Sequence, residues 1–204
     1  MQSVIFDNQS ITPSKIICVG RNYVEHIKEL NNEVPSEPVI FIKPNSAISD
    51  VLKQNERNEI HYEAEICLLI ENQQIVAVGF GLDLTKRDLQ SQLKQKGLPW
   101  ERAKAFDGSA VFSEFVPCTL DELPKLSMQL CIDDELVQQA NYQLMMYKPQ
   151  QLVNYISEFM SLEDGDIIMT GTPKGVGRAP RDSVFAGSIK KGDELLIKAD
   201  FKVD

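Results

Sequence analysis

The stretch Ile60-His61-Tyr62-Glu63-Ala64-Glu65-Ile66-Cys67-Leu68-Leu69-Ile70 decides how the rest of the chain is read. Its second half is apolar and partly β-branched, the composition of a buried strand. Side chains at i and i+2 leave a strand on one face, so Glu63 and Glu65 project together. Glu71-Asn72-Gln73-Gln74 interrupts the run, and Ile75-Val76-Ala77-Val78-Gly79-Phe80-Gly81-Leu82-Asp83 reads as the returning strand. A turn centred on Asn72 and Gln73 brings Asp83 opposite the Tyr62–Glu63 region, where a slip of one residue would turn it to the other face. Three carboxylates then converge at one end of a hairpin. Clustered carboxylates repel unless positive charge lies between them, and a hard divalent cation is a simple source of it. An edge strand with a solvated acidic face is the plainer alternative, and spacing alone leaves both open.

The bulk numbers narrow the class. A chain of 204 residues with 43% hydrophobic and 25% charged content suits a single globular domain spanning residues 1–204. A net charge of −9 argues against a nucleic-acid or anionic-membrane partner. No apolar run approaches the roughly 18 residues of a membrane span, and the N-terminus lacks a basic-then-apolar signal. Cys18, Cys67, Cys118 and Cys131 sit among apolar neighbours without metal-like spacing, as reduced core thiols of a cytoplasmic protein do. With only two histidines, His26 and His61, a His-rich zinc site is disfavoured.

Outward from the hairpin, Lys15 to Gly20 and Pro38 to Pro44 read as strands, and Lys43 faces either the site or solvent. Between them Asn22 and Glu25 suggest a capping box for a short helix. On that helix His26 and Glu29 are i and i+3, so a carboxylate can orient the imidazole as a base for water; a casual surface ion pair is the alternative. The polar loop Asn31 to Pro38 would let this helix act as a lid. After Asp83, Thr85 and Asp88 suggest a second capping box, with Gly97 as the helix stop. Arg87 and Gln90 share a face at the start of that helix, where an anion is favoured. Lys104, among small and apolar residues, calls for an anionic partner unless it is solvated. Asn45 to Glu59 reads as polar connection and residues 111–147 as strand-rich. Pro149 to Met160 has helical periodicity through Leu152, Tyr155, Ile156 and Phe159. The Gly171–Gly177 loop, with the Thr172 hydroxyl, could cradle an anion, and Glu194 to Phe201 reads as a last strand.

Taken together and in order, these pieces resemble the fumarylacetoacetate hydrolase family. The elements that carry the resemblance are Ile17-Cys18-Val19-Gly20-Arg21-Asn22-Tyr23, Phe41-Ile42-Lys43-Pro44 and the Glu63/Glu65 pair. They continue with Leu82-Asp83-Leu84-Thr85-Lys86-Arg87-Asp88, Gly97-Leu98-Pro99-Trp100 with Lys104, and Gly165-Asp166 through Gly177. The match weakens from Arg178 onward, and Lys86 stands where a small residue is more usual, adding charge near the mouth of the site.

The resemblance implies a β-rich α+β fold of mixed sheets, a β-roll or incomplete barrel with a few short helices, usually as a homodimer. It implies Glu63, Glu65 and Asp83 as ligands of Mg²⁺ or Mn²⁺. It gives Arg21, Arg87, Gln90 and Thr172 substrate-binding roles, and His26, Glu29 and Lys104 catalytic ones. The implied substrates are small 2-oxo acids, handled through a metal-stabilised enolate. Hydrolysis of a C–C bond in acylpyruvates is the leading expectation. Oxaloacetate decarboxylation or tautomerisation, or 2-hydroxyhepta-2,4-diene-1,7-dioate isomerisation, are the alternatives. A metal-dependent organic-acid binding protein is the non-enzyme reading, against which the His26–Glu29 dyad stands.

Overall fold

The computed structural model of the chain describes residues 1–54 and 59–204. Residues 55–58, part of the polar connection expected between Asn45 and Glu59, lie outside the described residues. In chain order the first principal elements are strand β1 (Lys15–Gly20), helix α1 (Val24–Glu29), strands β2 (Val39–Pro44), β3 (Ala64–Glu71) and β4 (Gln74–Asp83), and helices α2 (Arg87–Gln95) and α3 (Glu101–Lys104). Strands β5 (Leu126–Ile132) and β6 (Glu135–Asn141), helix α4 (Pro149–Ser157), and strands β7 (Ile167–Met169), β8 (Val184–Lys191) and β9 (Glu194–Lys202) follow. Among the described residues no helix is long and apolar enough to cross a membrane.

The largest sheet has eight strands in the order β2-β1-β7-β3-β4, then Ala110–Phe112 and Ile48–Ser49, with Val116–Pro117 also on β4. It is mixed: β7 runs parallel to β1 and antiparallel to β3. A second sheet, β6-β5-β8-β9, packs across it. Phe80 of β4 stacks on Phe201 of β9 at 6.1 Å, and Tyr62 meets Phe185 of β8 edge-on at 5.2 Å. Gly187 is what permits that approach, since a Cβ there would lie 2.4 Å from the Phe80 ring. A small third sheet pairs Ile60–Tyr62 with Thr85–Lys86 and Gly177–Arg178. The architecture is β-rich α+β, with mixed sheets, a curled incomplete barrel and short helices, as expected.

The β3–β4 hairpin turns on Asn72 and Gln73, with φ of 48° and 60°, the paired positive values of a tight two-residue hairpin turn. Ile70 pairs with Ile75, but Leu69 pairs with Ala77, so Val76 is an extra residue that bulges from β4. Ile75 therefore belongs to the larger core with Ile66 and Leu68, while Ala77 belongs to the smaller core with Cys67 and Leu69. Beyond the bulge the pairing carries Ala64 opposite Leu82 and Glu65 opposite Gly81. Asp83 N–H donates to Glu63 O at 2.8 Å. An unbulged hairpin on this turn would have set Asp83 against Tyr62, on the face away from Glu63 and Glu65. The bulge corrects the parity.

Neither expected capping box forms. The N-cap of α1 is Tyr23, without a side-chain bond. Asn22 is fully buried and donates instead to Thr170 O at 2.8 Å and Tyr147 O at 3.0 Å, tying the entry of α1 to the loop after β7. Helix α2 begins at Arg87 because Thr85 is still paired with His61. Its end is as expected: Gly97, at φ 62°, lets Leu98 N–H reach back to Leu93 O at 2.9 Å. Helix α4 stops at Ser157, short of Met160, and leaves Phe159 56% exposed.

Candidate active site

Glu63, Glu65 and Asp83 lie where the ends of β3 and β4 meet, each at least nine-tenths buried. One oxygen from each falls within 4.8 Å of the others. Two buried lysines and an arginine offset this charge. Lys104 Nζ donates to Glu63 Oε2 and Asp83 Oδ2, both at 2.7 Å, and to Thr85 Oγ1 at 2.6 Å. Arg87 pairs with Glu63 Oε1, and Lys43 Nζ lies 2.8 Å from Asp83 Oδ1. Lys43 thus faces the site from β2, its amine also donating to the carbonyls of Leu84 and Lys104.

Glu63 and Glu65 titrate in opposite directions for this reason. Burial pushes Glu63 up, but Lys104 and Arg87 override it and hold the group far below the usual carboxylate range. Glu65 is pushed well up, first by burial and then by Asp83 and Glu63, against the opposing hydrogen bond from Gly171 N–H at 2.5 Å. Lys104 would be lowered by burial, yet Asp83 and Glu63 keep it raised.

A hard divalent cation fits this donor set. Asp83 Oδ1 is buried and lacks a hydrogen bond, its contact with Lys43 being ionic without hydrogen-bond geometry. Glu65 has no cationic partner among the described ion pairs. These are free oxygen donors of the type Mg²⁺ and Mn²⁺ take.

The same cavity is lined by Arg21, His26, Arg87, Gln90, Lys94, Lys104 and Thr172. His26 Nδ1 lies 3.1 Å from Glu29 Oε2, and Glu29 Oε1 accepts from Gly175 N–H at 2.9 Å, so the dyad bridges α1 to the Gly171–Gly177 loop. That loop does cradle anions, but the anions are the protein's own Glu65 and Glu29. Thr172 Oγ1 donates to Ala64 O and accepts from Gln138 Nε2, both at 2.9 Å. Arg87 donates to Gln90 Oε1 at 2.8 Å, the i, i+3 contact expected from their spacing. The cavity encloses about 40 Å³, room for roughly three waters.

The Fumarylacetoacetate (FAA) hydrolase C-terminal family model matches residues 15–200. The chain belongs to the fumarylacetoacetate hydrolase family. The matched span runs past Arg178 to residue 200. Oxaloacetate tautomerase YcgM of Escherichia coli is 37% identical over 92% of this chain and 89% of its own length. A solved family structure from Oleispira antarctica superposes with a TM-score of 0.94 at 38% identity, covering all of both chains. Fumarylpyruvate hydrolase from Pseudomonas aeruginosa, solved in complex with Mn²⁺ and pyruvate, gives 0.87 at 30% identity, covering 98% and 94%.

In this family member four further residues shape the site, of which Trp100 alone stood in a motif read from the sequence. Asn32 and Lys94 meet at its rim, where Lys94 Nζ donates to Asn32 Oδ1 at 3.1 Å. Trp100 walls the cavity and lies 5.2 Å under Lys94 Nζ. Gln138, buried on β6, donates to Thr172 and accepts from Ala64 N–H. Lys94 recurs four residues after Gln90, a helical spacing that could have flagged it; Asn32 and Gln138 carry no local signal. Lys86 does not line the cavity and instead sits 4.2 Å over the Phe106 ring.

Proposed function

We propose that this chain is a divalent-metal-dependent enzyme that interconverts the enol and keto forms of oxaloacetate or a close 2-oxo acid. The observation that carries this is a single cavity with three buried carboxylates in its floor and Arg21, Arg87, Lys94 and Lys104 in its walls. Such a site suits a divalent cation together with an anionic substrate. The likeness to a curated oxaloacetate tautomerase over nine-tenths of the chain supports the same reading.

A divalent cation held by Glu63, Glu65 and Asp83 would supply Lewis acidity toward the carboxylate and 2-oxo oxygens of the substrate. Arg87 and Gln90 bind and orient the substrate carboxylate. Lys104 holds Glu63 and Asp83 in place and keeps the floor of the site positive enough for an enolate. His26 moves the proton. The Glu29 contact at Nδ1 leaves Nε2 available to the cavity. From the keto form His26 takes a proton from C3, the C–H electron pair forms the C2–C3 double bond, and a proton returns to the oxygen on C2. The reverse sequence restores the ketone.

The His26–Glu29 dyad also favours a second reading, cleavage of acylpyruvates. There His26 would take a proton from water, the water oxygen would attack the distal carbonyl, and the C3–C4 bond would break to release pyruvate as its enol. Loss of CO₂ from oxaloacetate passes through the same enolate without water. One assay separates the three: enol absorbance, CO₂ and pyruvate release are followed with oxaloacetate and acetylpyruvate, with Mg²⁺, Mn²⁺ or chelator. Faster enol decay that vanishes with chelator supports the tautomerase. Rapid pyruvate release from acetylpyruvate without faster enol decay moves the assignment to the hydrolase. A cytoplasmic homodimer belongs to the same proposal.

A further inference from the structure

The mouth of the cavity gathers more positive charge than the carboxylates below it use. Glu63 and Asp83 are matched by Arg87, Lys43 and Lys104. Arg21 and Lys94 have no acidic partner among the described ion pairs. Both donate instead to a neutral atom, Asn32 Oδ1, at 3.2 Å and 3.1 Å, and Arg21 donates also to Glu33 O at 3.5 Å. Arg21 Nε is buried without a hydrogen-bond partner. Its backbone sits at φ 59°, a left-handed conformation that a non-glycine residue adopts at a cost, and here it belongs to a residue that lines the cavity. Lys94 is poised in the same way. Burial, then Arg21 and Arg87, pull its pKa down to about 8, and no carboxylate pairs with it among the described ion pairs.

An amide oxygen that accepts from a guanidinium and an ammonium occupies the place of one carboxylate oxygen. Arg87, Gln90 and Lys94 lie on one stripe of α2, and four residues at 1.5 Å each put Lys94 roughly 6 Å along the axis from Gln90. The stripe therefore offers a polar pair near the carboxylate floor and a cation about one turn further on.

We propose that Arg21 and Lys94 clamp the second, distal carboxylate of a dicarboxylic 2-oxo acid, with Asn32 Oδ1 marking the position of one of its oxygens. This rests on the 2-oxo acid reading above and narrows its substrate class to diacids. On binding, the substrate carboxylate replaces a neutral acceptor by a charged one, and the loop bearing Asn32 releases Lys94.

Trp100 is the sole tryptophan of the chain and lines the cavity, so its fluorescence reports occupancy without turnover. The full-length protein with Mg²⁺ is titrated with oxaloacetate and with 2-oxobutanoate, which carries a methyl group in place of the distal carboxylate. The wild type should bind oxaloacetate at least about tenfold more tightly. Lys94→Met should weaken oxaloacetate by roughly 10–100-fold, the scale of one charged hydrogen bond, and leave 2-oxobutanoate within about twofold. Lys94→Arg should restore most of the loss, and Lys94→Gln replaces the Met variant if that one fails to fold. Equal weakening of both probes, or no weakening of oxaloacetate, overturns the clamp. A wild type that binds both acids equally also overturns it but leaves the 2-oxo acid reading standing. A wild type that binds neither removes that reading and the clamp with it.

Discussion

The three candidate ligands carry the same chemistry, yet they should respond in opposite ways to loss of charge. Glu65 is buried and makes no ion pair among the described residues. Glu65→Gln keeps the acceptor for Gly171 N–H and removes a repelling charge, so the melting temperature in chelator should rise while calorimetric Mg²⁺ binding disappears. Asp83 stands between Lys43 and Lys104. Asp83→Asn leaves two buried amines short of their counter-charge and should cost about 3–5 kcal/mol in a denaturant melt. Undiminished Mg²⁺ affinity in Glu65→Gln would sink the ligand assignment. His26 makes a kinetic prediction. Its replacement by Ala should cut acylpyruvate cleavage and enol–keto exchange by about 10²–10⁴-fold. CO₂ loss from oxaloacetate should fall far less, because it needs no proton taken from carbon or water. Equal losses in all three rates would make His26 a lid support. At this scale the sequence was legible wherever spacing had one reading. Glu63 and Glu65 share a face by strand geometry, and His26 meets Glu29 by helix geometry. Lys43, Asn32 and Arg21 were harder because their partners lie in other elements, 11 to 62 residues away in the contacts that define them.

At the scale of elements, the Val76 bulge is the device that makes the site. The hairpin turn was readable from its breaker residues, and it brought Asp83 to the Tyr62–Glu63 region without fixing its face. The extra residue was not readable, because Ile75-Val76-Ala77-Val78 is uniformly apolar and hides a change of parity. Deleting Val76 removes the extra residue and should leave a regular ladder in which Leu69 still pairs with Ala77 and Asp83 still lies beside Glu63. The expected outcome is that Mg²⁺ binding survives in calorimetry, because the shorter strand reaches the same register without a bulge. Loss of metal affinity in a folded deletion variant would show that the local geometry of the bulge, not the residue count, places Asp83. The failed capping boxes teach the complementary lesson. Asn22 and Thr85 have the right chemistry for N-caps, but tertiary partners outbid the local ones. Asn22 is drawn to Thr170 and Tyr147, while Thr85 accepts from Lys104 and pairs with His61.

At the scale of the molecule, β2 ends the eight-stranded sheet, and among the described residues no strand pairs with its outer edge. An uncovered edge is a place where another chain can dock. Beside it lies a largely apolar groove of about 450 Å³ lined by Val39, Ile40, Ile42, Pro99, Trp100, Phe159 and Met160. Phe159 is 56% exposed there although it continues the apolar stripe of α4. The homodimer expected from the family would cover such a surface, and a second copy offers the same groove in return, as a two-fold interface requires. Phe41 and Trp100 line both the groove and the catalytic cavity, so docking on this face would also stiffen a wall of the site. Light scattering at micromolar concentration should then give twice the chain mass of 23.0 kDa. Phe159→Lys or Ile40→Lys should shift the particle toward one chain, and the affinity for oxaloacetate should fall with it as the Trp100 wall loosens. A wild-type particle of single-chain mass rejects the dimer. A dimer indifferent to both substitutions places its interface on another face and frees the Trp100 wall from any dependence on assembly.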